Sequence, residues 1–307
     1  MITPSHKPTL WAYVATLAFV LLASSSPAVT RLAVTHTLTL QDLMFLRCGI
    51  GSLLFLPYFL TQLRMIPKKL LIVGFVLAFF QGWGTHLTTI VGLRFAPASH
   101  ASALGPGFIS VWVAFWGWAF YQLRPTAEQA IGLAFISLGA VVLLINSGGA
   151  NFSAMTLVGD LLFLCASSFG AIYLVYIHHH QIRPMHGAAM IAVYSGLVVV
   201  PWFFMYSTPD RILSAPLPEL ALQIFYQGVG AGAFFVALLS YAVIKMGSQR
   251  FSMIVACVPI LSLVFGRQIA GDGITSLECV AIALITGGIL YGAIRPTFTT
   301  RPSSVVN

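Results

Sequence analysis

The sequence predicts an all-α integral membrane protein with ten transmembrane helices, arranged as two inverted five-helix repeats. Three observations lead there. Hydrophobic residues make up 58% of the 307 and charged residues only 7%, where a soluble domain carries about 25% charge. Only a bilayer can be the solvent for that much apolar surface. The apolar text falls into ten runs, 10–30, 40–60, 70–93, 98–120, 127–145, 157–177, 185–205, 219–244, 251–270 and 275–294, and a spanning helix needs about 20 such residues. Finally, the text repeats. Residues 94–140 and 247–288 each read as a loop, an apolar helix with proline eight residues in (Pro106, Pro259), a turn, and a small-residue-rich helix. Ser24 falls opposite Ser168 and Pro57 opposite Pro201 at one offset. An odd number of crossings per repeat turns the second copy upside down, as in many secondary transporters.

The first run, with Lys7 before it and small residues at Ala23–Ser26, has some features of a signal peptide. Its length and its partner at 157–177 favour a spanning helix. It carries Ser24-Ser25-Ser26-Pro27, matched on the sixth by Ser167-Ser168-Phe169-Gly170. The second holds Arg47 in its outer part, and the third holds Gln81-Gly82-Trp83-Gly84-Thr85-His86. The fourth opens with His100, breaks at Pro106, and carries Trp112 and Trp116. The eighth holds Tyr226-Gln227-Gly228 and Gly232, then Tyr241; the ninth breaks at Pro259 and bears Arg267 near its end. Segments 146–156 and 206–218 are turn-rich, and the first of them joins the repeats, 10–145 and 157–294.

Orientation follows from the basic loops. With the N-terminus inside, the cytoplasmic face collects Lys7, Arg64, Lys68, Lys69, Arg124, Arg183, Lys245, Arg250, Arg295 and Arg301, and the outer face Arg31, Arg94 and Arg211. Both termini are then cytoplasmic, in a plasma membrane such as the bacterial inner membrane. The net charge of +8 is explained by those loops, without nucleic acid. Each proline lies about 12 Å deep at 1.5 Å per residue. Proline frees a backbone carbonyl, which in hydrocarbon must face protein or a water-filled cavity. Pro106 and Pro259 are therefore expected to outline gates to a pocket between the repeats.

These residues resemble the drug/metabolite transporter superfamily in its EamA-type form. The matching text is Ala101 with Pro106, then Gln129, Gly132 and Gly139, and in the second half Ser252 with Pro259, Gly271-Asp272 and Gly287-Gly288. Arg47 also matches a frequent family feature. The family usually ends the fourth and ninth helices with Gly-Glu, where this chain has Gln122-Leu123 and Gly271-Asp272. The resemblance implies alternating access, commonly export of small metabolites, and peripheral fifth and tenth helices.

Charged and titratable groups at depth are costly and point to function. Arg47, Arg267, His86 and His100 all fall in the outer half. One reading is an outer vestibule for a carboxylate, which arginine grips with two parallel bonds. The other is snorkelling, or an ion pair of Arg267 with Asp272. His86 reads either as a core histidine satisfied by Gln81 or Thr85, or as a substrate or proton-coupling group. No Asp or Glu is expected deep inside a helix. Ser25, Gln81, Trp83, Ser168, Gln227 and Tyr241 have polar atoms that need partners in a dry environment. Trp112 reads as lipid-facing or packing, or else as part of an aromatic pocket. His178-His179-His180 reads as a solvated turn, and Gly228 with Gly232 as a packing pair. Cys48, Cys165, Cys257 and Cys279 show no metal or disulfide spacing.

The expectation is a secondary carrier for a small metabolite such as an amino acid, probed at Ser25, Arg47, Gln81, Trp83, His86, His100, Ser168, Gln227, Tyr241 and Arg267. A passive channel needs a continuous polar stripe. An intramembrane enzyme needs paired catalytic groups at depth, and the sequence has no HExxH. No metal or cofactor is expected. The expected partners are a small-molecule substrate and the bilayer, with room for a homodimer.

Overall fold

A computed structural model describes residues 10–36, 38–147, 154–180, 182–235, 238, 241–242, 245, 251 and 254–294. All the regular structure among them is helical. In chain order it comprises α1 (Leu10–His36), α2 (Leu40–Gln62), α3 (Lys68–Ala78), a π-helical segment (Phe79–Trp83) and α4 (Gly84–Leu93). There follow α5 (Ala98–Leu104), α6 (Ile109–Tyr121), α7 (Ala127–Ser147), α8 (Ala154–His179), α9 (Pro184–Tyr206) and the short α10 (Pro209–Leu213). The chain then runs through α11 (Leu217–Gln223), a second π-helical segment (Ile224–Phe234), α12 (Val258–Ala270) and α13 (Ser276–Ile294).

Among the described residues, seven helical stretches are long and apolar enough to cross a membrane: Leu10–His36, Leu40–Gln62, Lys68–Leu93, Ala98–Tyr121, Ala127–Asn146, Ala154–His179 and Met185–Tyr206. Val258–Ala270 and Ser276–Gly292 are apolar but shorter. The protein is a multi-pass membrane protein. The expected eighth and ninth spans lie partly outside the described residues. The first helix runs to His36, past the expected end at 30. It stays helical through Pro27, with Ser24 donating to the Val20 carbonyl and Ser25 to the Leu21 carbonyl at 2.6 Å. Thr39 starts α2 with a capping box, its hydroxyl accepting from the Asp42 backbone while Asp42 accepts from the Thr39 backbone at 2.8 Å.

Lipid gives apolar helices no hydrophobic reason to associate, so close backbone approach holds the bundle together. α7 and α13 pair along their lengths. A Cβ on Gly132 would lie 2.9 Å from the Gly288 carbonyl, and one on Gly288 would lie 2.6 Å from the Gly132 carbonyl. α2 lies against α9 and the second π segment, and α9 lies against α3. α1 packs on α12, α8 packs on α4 and α6, and α5 packs on α12. Gly228 and Gly232 do pack, against Ile50 and the Arg47–Gly51 backbone of α2.

The expected proline breaks are present. Gly105–Phe108, containing Pro106, separates α5 from α6. Pro259 is the second residue of α12, just after a turn at Ala256–Cys257. The far ends of α6 and α12 also correspond. Gln122 (φ 55°) and Gly271 (φ 71°) each take a left-handed conformation. The next amide bonds back six residues in both, Leu123 to Gly117 at 3.1 Å and Asp272 to Gly266 at 3.2 Å. Glycine suits that position, and a residue with a Cβ pays about 1–2 kcal/mol there. Gln122→Gly is therefore expected to stabilise the protein by about 1 kcal/mol after glycine's greater unfolded freedom is subtracted. Thermal unfolding in detergent checks this, and Gln122→Ala should show no such gain.

Candidate functional site

Two π-helical segments and two proline breaks interrupt the helices that carry the candidate residues. In the first π segment Gly82 departs from helical angles (φ −106°, ψ −116°). The reason is local: Ser195 of α9 stands where a Gly82 Cβ would be, and its hydroxyl accepts from the Trp83 amide at 3.2 Å. The sequence gives no sign of Ser195's part in this. Wide π turns inside helices recur at functional sites. Here the turn sets Gln81, Trp83 and, one turn on, His86 beside α2 and α8.

Arg47 is the centre of the arrangement. It is 9% exposed, so it does not snorkel. Its guanidinium lies 3.4 Å from His86 Nδ1 and donates to Ser26 Oγ at 3.5 Å. Among the described residues no carboxylate lies within ion-pair distance of Arg47, and its buried Nε has no hydrogen-bond partner. The buried polar atoms Gln81 Oε1, Trp83 Nε1, Trp112 Nε1 and Gln227 Oε1 are likewise unpartnered among the described residues. Native proteins rarely leave such groups without water or a ligand. The Trp112 ring itself is half-buried and packs edge-on against Phe108 and Phe115. Nearby, Ser25 donates to Tyr226 at 3.2 Å, and Trp116 donates to Ser168 at 2.9 Å.

A cavity of about 170 Å³ opens where the breaks face one another, lined by Pro106, Gly107, Ser110, Val255, Val258 and Pro259 among others.

Other expected residues belong elsewhere. Gln227 donates to Thr30 at 2.8 Å and to Gln223 at 3.1 Å, in a fully buried contact between α1 and the second π segment. Tyr241 is 40% exposed and Arg267 is exposed. Asp272 does not pair with Arg267. The left-handed turn at Gly271 folds it back toward Gly266, where it meets Arg31 Nε at 2.9 Å and accepts from the Ala98 amide at 2.8 Å. His100 does not line a vestibule. It is fully buried, with Nδ1 2.8 Å from Asp160 and Nε2 3.8 Å from Glu278. Asp42, Asp160 and Glu278 are each at most 1% exposed, so acidic groups do lie inside the bundle. Each stands near a helix end that neighbouring helices cover. Among the described residues no cluster of His, Cys, Asp or Glu could hold a metal ion.

The sequence profile of the EamA-like transporter family matches residues 10–145 and 157–292. The chain belongs to the EamA-like transporter family. It is also similar to an uncharacterized transporter of Archaeoglobus fulgidus, 24% identical over 186 residues, which are 57% of this chain and 60% of that one. The chain thus matches about 60% of that relative's length. A solved crystal structure superposes with a TM-score of 0.60 at 18% identity, covering 92% of this chain and 98% of the other, and supports the fold alone. Membership of this family and the likeness to an uncharacterized transporter point to transport rather than to catalysis.

Proposed function

We propose that this protein is a secondary carrier that exports a small anionic or zwitterionic metabolite, such as an amino acid, by alternating access. Arg47 carries the reading. A buried cation without a carboxylate partner among the described residues is costly to keep. A substrate carboxylate would supply that partner, held by the arginine fork with His86 and Ser26 beside it. Trp83 would flank the solute, and Gln81 would offer a hydrogen-bond acceptor to an ammonium or hydroxyl group.

Repeats 10–145 and 157–294 are read as inverted copies of five spans each. Each span then has a mate five spans later, and exchanging mates carries the principal contacts onto one another. α1 on α12 becomes α8 on the α5–α6 span, α2 on the second π segment becomes α9 on the α3–α4 span, and α7 with α13 maps onto itself. The mates also share their irregularities: π turns in the third and eighth spans, proline breaks in the fourth and ninth. Pro106 and Pro259 act as gates on opposite sides of the chamber, and both termini lie in the cytoplasm of a cell with this protein in its plasma membrane. A continuous open pore fits poorly with the buried polar cluster around His100.

The test is exchange of labelled amino acids and organic acids in proteoliposomes, guided by a comparison of intracellular and extracellular metabolites with the gene deleted and overexpressed. Saturable counterflow of at least one solute is expected. Unsaturable leakage, or no flux for any solute in the panel, would count against a carrier.

A further inference from the structure

Arg31 and Asp272 stand together on one side of a boundary and bond across it. α1 packs on α12 and on the second π segment, while α4, α5 and α6 each pack on α8. His100 ties α5 to Asp160 of α8 at 2.8 Å. The two groups of helices meet at the corner between α4 and α5, which packs on α1 and α12. Polar contacts cross there in a row. Arg31 donates to the Leu93 carbonyl at 3.3 Å and to the Ala96 carbonyl. Its Nε meets Asp272 Oδ1 at 2.9 Å, and Asp272 Oδ2 accepts from the Ala98 amide at 2.8 Å. One turn further along α5, Ser102 donates to Ser262 of α12 at 2.6 Å, and Ser262 donates to the Ala98 carbonyl at 3.4 Å. The Leu93 carbonyl ends α4 and the Ala98 amide begins α5, so neither has a partner within its own helix. The charges on Arg31 and Asp272 strengthen the bonds they make, and as a pair they are neutral. Parting α1 and α12 from this corner breaks the whole row at once.

The repeat does not provide the same row at the other end of the bundle. With Ser24 opposite Ser168, Arg31 falls opposite Val175. With Gly271 opposite Gln122, each the left-handed cap of its helix, Asp272 falls opposite Leu123. The corresponding helices meet there, α8 with α6. Valine and leucine side chains neither donate nor accept a hydrogen bond, so this pair of positions cannot grip the backbone of a neighbouring corner. A carrier that exchanges two shapes is biased by any contact that only one of them makes.

We propose that Arg31, Asp272 and Ser262 form a latch on the α4–α5 corner, and that this latch holds the protein, when no solute is bound, with that face closed. In the orientation read from the basic loops the latched face is the outer one. Solute binding then has to supply the free energy that releases the latch, which keeps the outer face shut between loads. The place of the latch in a cycle rests on the carrier reading above; the separation of the helices is measured without it.

Spin labels at His36→Cys and Arg94→Cys, both exposed positions, report the separation of the end of α1 from the α4–α5 corner. Cys48, Cys165, Cys257 and Cys279 are replaced by Ala, and the full chain is placed in lipid nanodiscs without solute. The distance distribution is read by electron–electron double resonance. The short distance should dominate in this parent. Arg31→Gln combined with Asp272→Asn leaves no unpaired charge behind, and should lower the short-to-long ratio by about tenfold or more. Ser262→Ala removes no charge and should lower it by about threefold. Arg31→Lys keeps the charge without the fork and should fall between the parent and the double variant. Melting temperature is measured on each protein, since a merely structural tie would lower it and leave the distances unmoved. A long distance dominating in the parent, or distributions unchanged in both the double variant and Ser262→Ala, would overturn the proposal. Solute counterflow on the same proteins separates the two ideas. Flux with unchanged distances rejects the latch alone. Shifted distances with no flux for any solute reject the carrier reading, and with it the place of the latch in a cycle.

Discussion

Arg47→Gln is expected to weaken binding of an anionic solute by about thirty- to a hundredfold, while leaving the protein as stable as before or more so. The two halves of that expectation have one cause. A hydrogen bond to a charged group contributes about 1.5–3 kcal/mol, and losing the arginine forfeits it along with the ionic attraction. Yet Arg47 has no carboxylate partner among the described residues, only His86 at 3.4 Å and Ser26 at 3.5 Å. Removing an unpaired buried cation relieves desolvation and breaks no ion pair. A purely structural arginine would show the reverse, a fall in melting temperature with affinity unchanged. Arg47→Lys keeps the charge without the planar fork, so it should recover part of the lost affinity. Counterflow affinity and thermal unfolding, measured on the same three proteins, decide between the readings.

Gly288→Leu is expected to be strongly damaging, costing about 2–3 kcal/mol or preventing assembly. α7 and α13 meet backbone to backbone. A Cβ at Gly288 would sit 2.6 Å from the Gly132 carbonyl and 2.9 Å from the Ile136 amide nitrogen, and neither can rotate aside. The adjacent Gly287 is the control, since a Cβ there meets nothing within 4 Å. Gly287→Ala should be neutral or mildly stabilising, because alanine is the better helix former by about 1 kcal/mol. Melting temperature in detergent measures both. Equal losses at the two positions would mean that general helix propensity, and not this crossing, sets the cost.

The features legible in the sequence were those that depend on local chemistry. Pro106 and Pro259 announce their breaks because a missing N–H acts wherever the helix goes. The apolar runs announce a bilayer for a similar reason, since hydropathy sums over neighbours in the chain. What the text hides is which helix ends are covered. Asp160 and Glu278 sit within two turns of their helix starts, where an acidic residue ordinarily meets water. Their burial depends on α5 docking from far along the chain. The Arg267–Asp272 pair failed for a related reason: spacing suggested contact, but the turn at Gly271 carried Asp272 to Arg31. The glycines of 81–84 and 228–232 read as packing residues and nothing in the text marks their π turns; for the first of these Ser195, over a hundred residues away, supplies the missing constraint. Gln122 shows the limit of motif reading from the other side. It replaces the family's usual glycine and still adopts the left-handed cap.

The two repeats themselves can be tested at equivalent loops. Arg64, after the second span, and Arg211, after the seventh, occupy corresponding places in the copies. Single cysteines at these positions, in a cysteine-free background, can be probed in intact cells with a membrane-impermeant maleimide. Inverted copies require Arg211→Cys to react from outside and Arg64→Cys to react only after permeabilisation. Labelling of both from the same side would mean the halves run parallel, and the alternating chamber between them would have no basis.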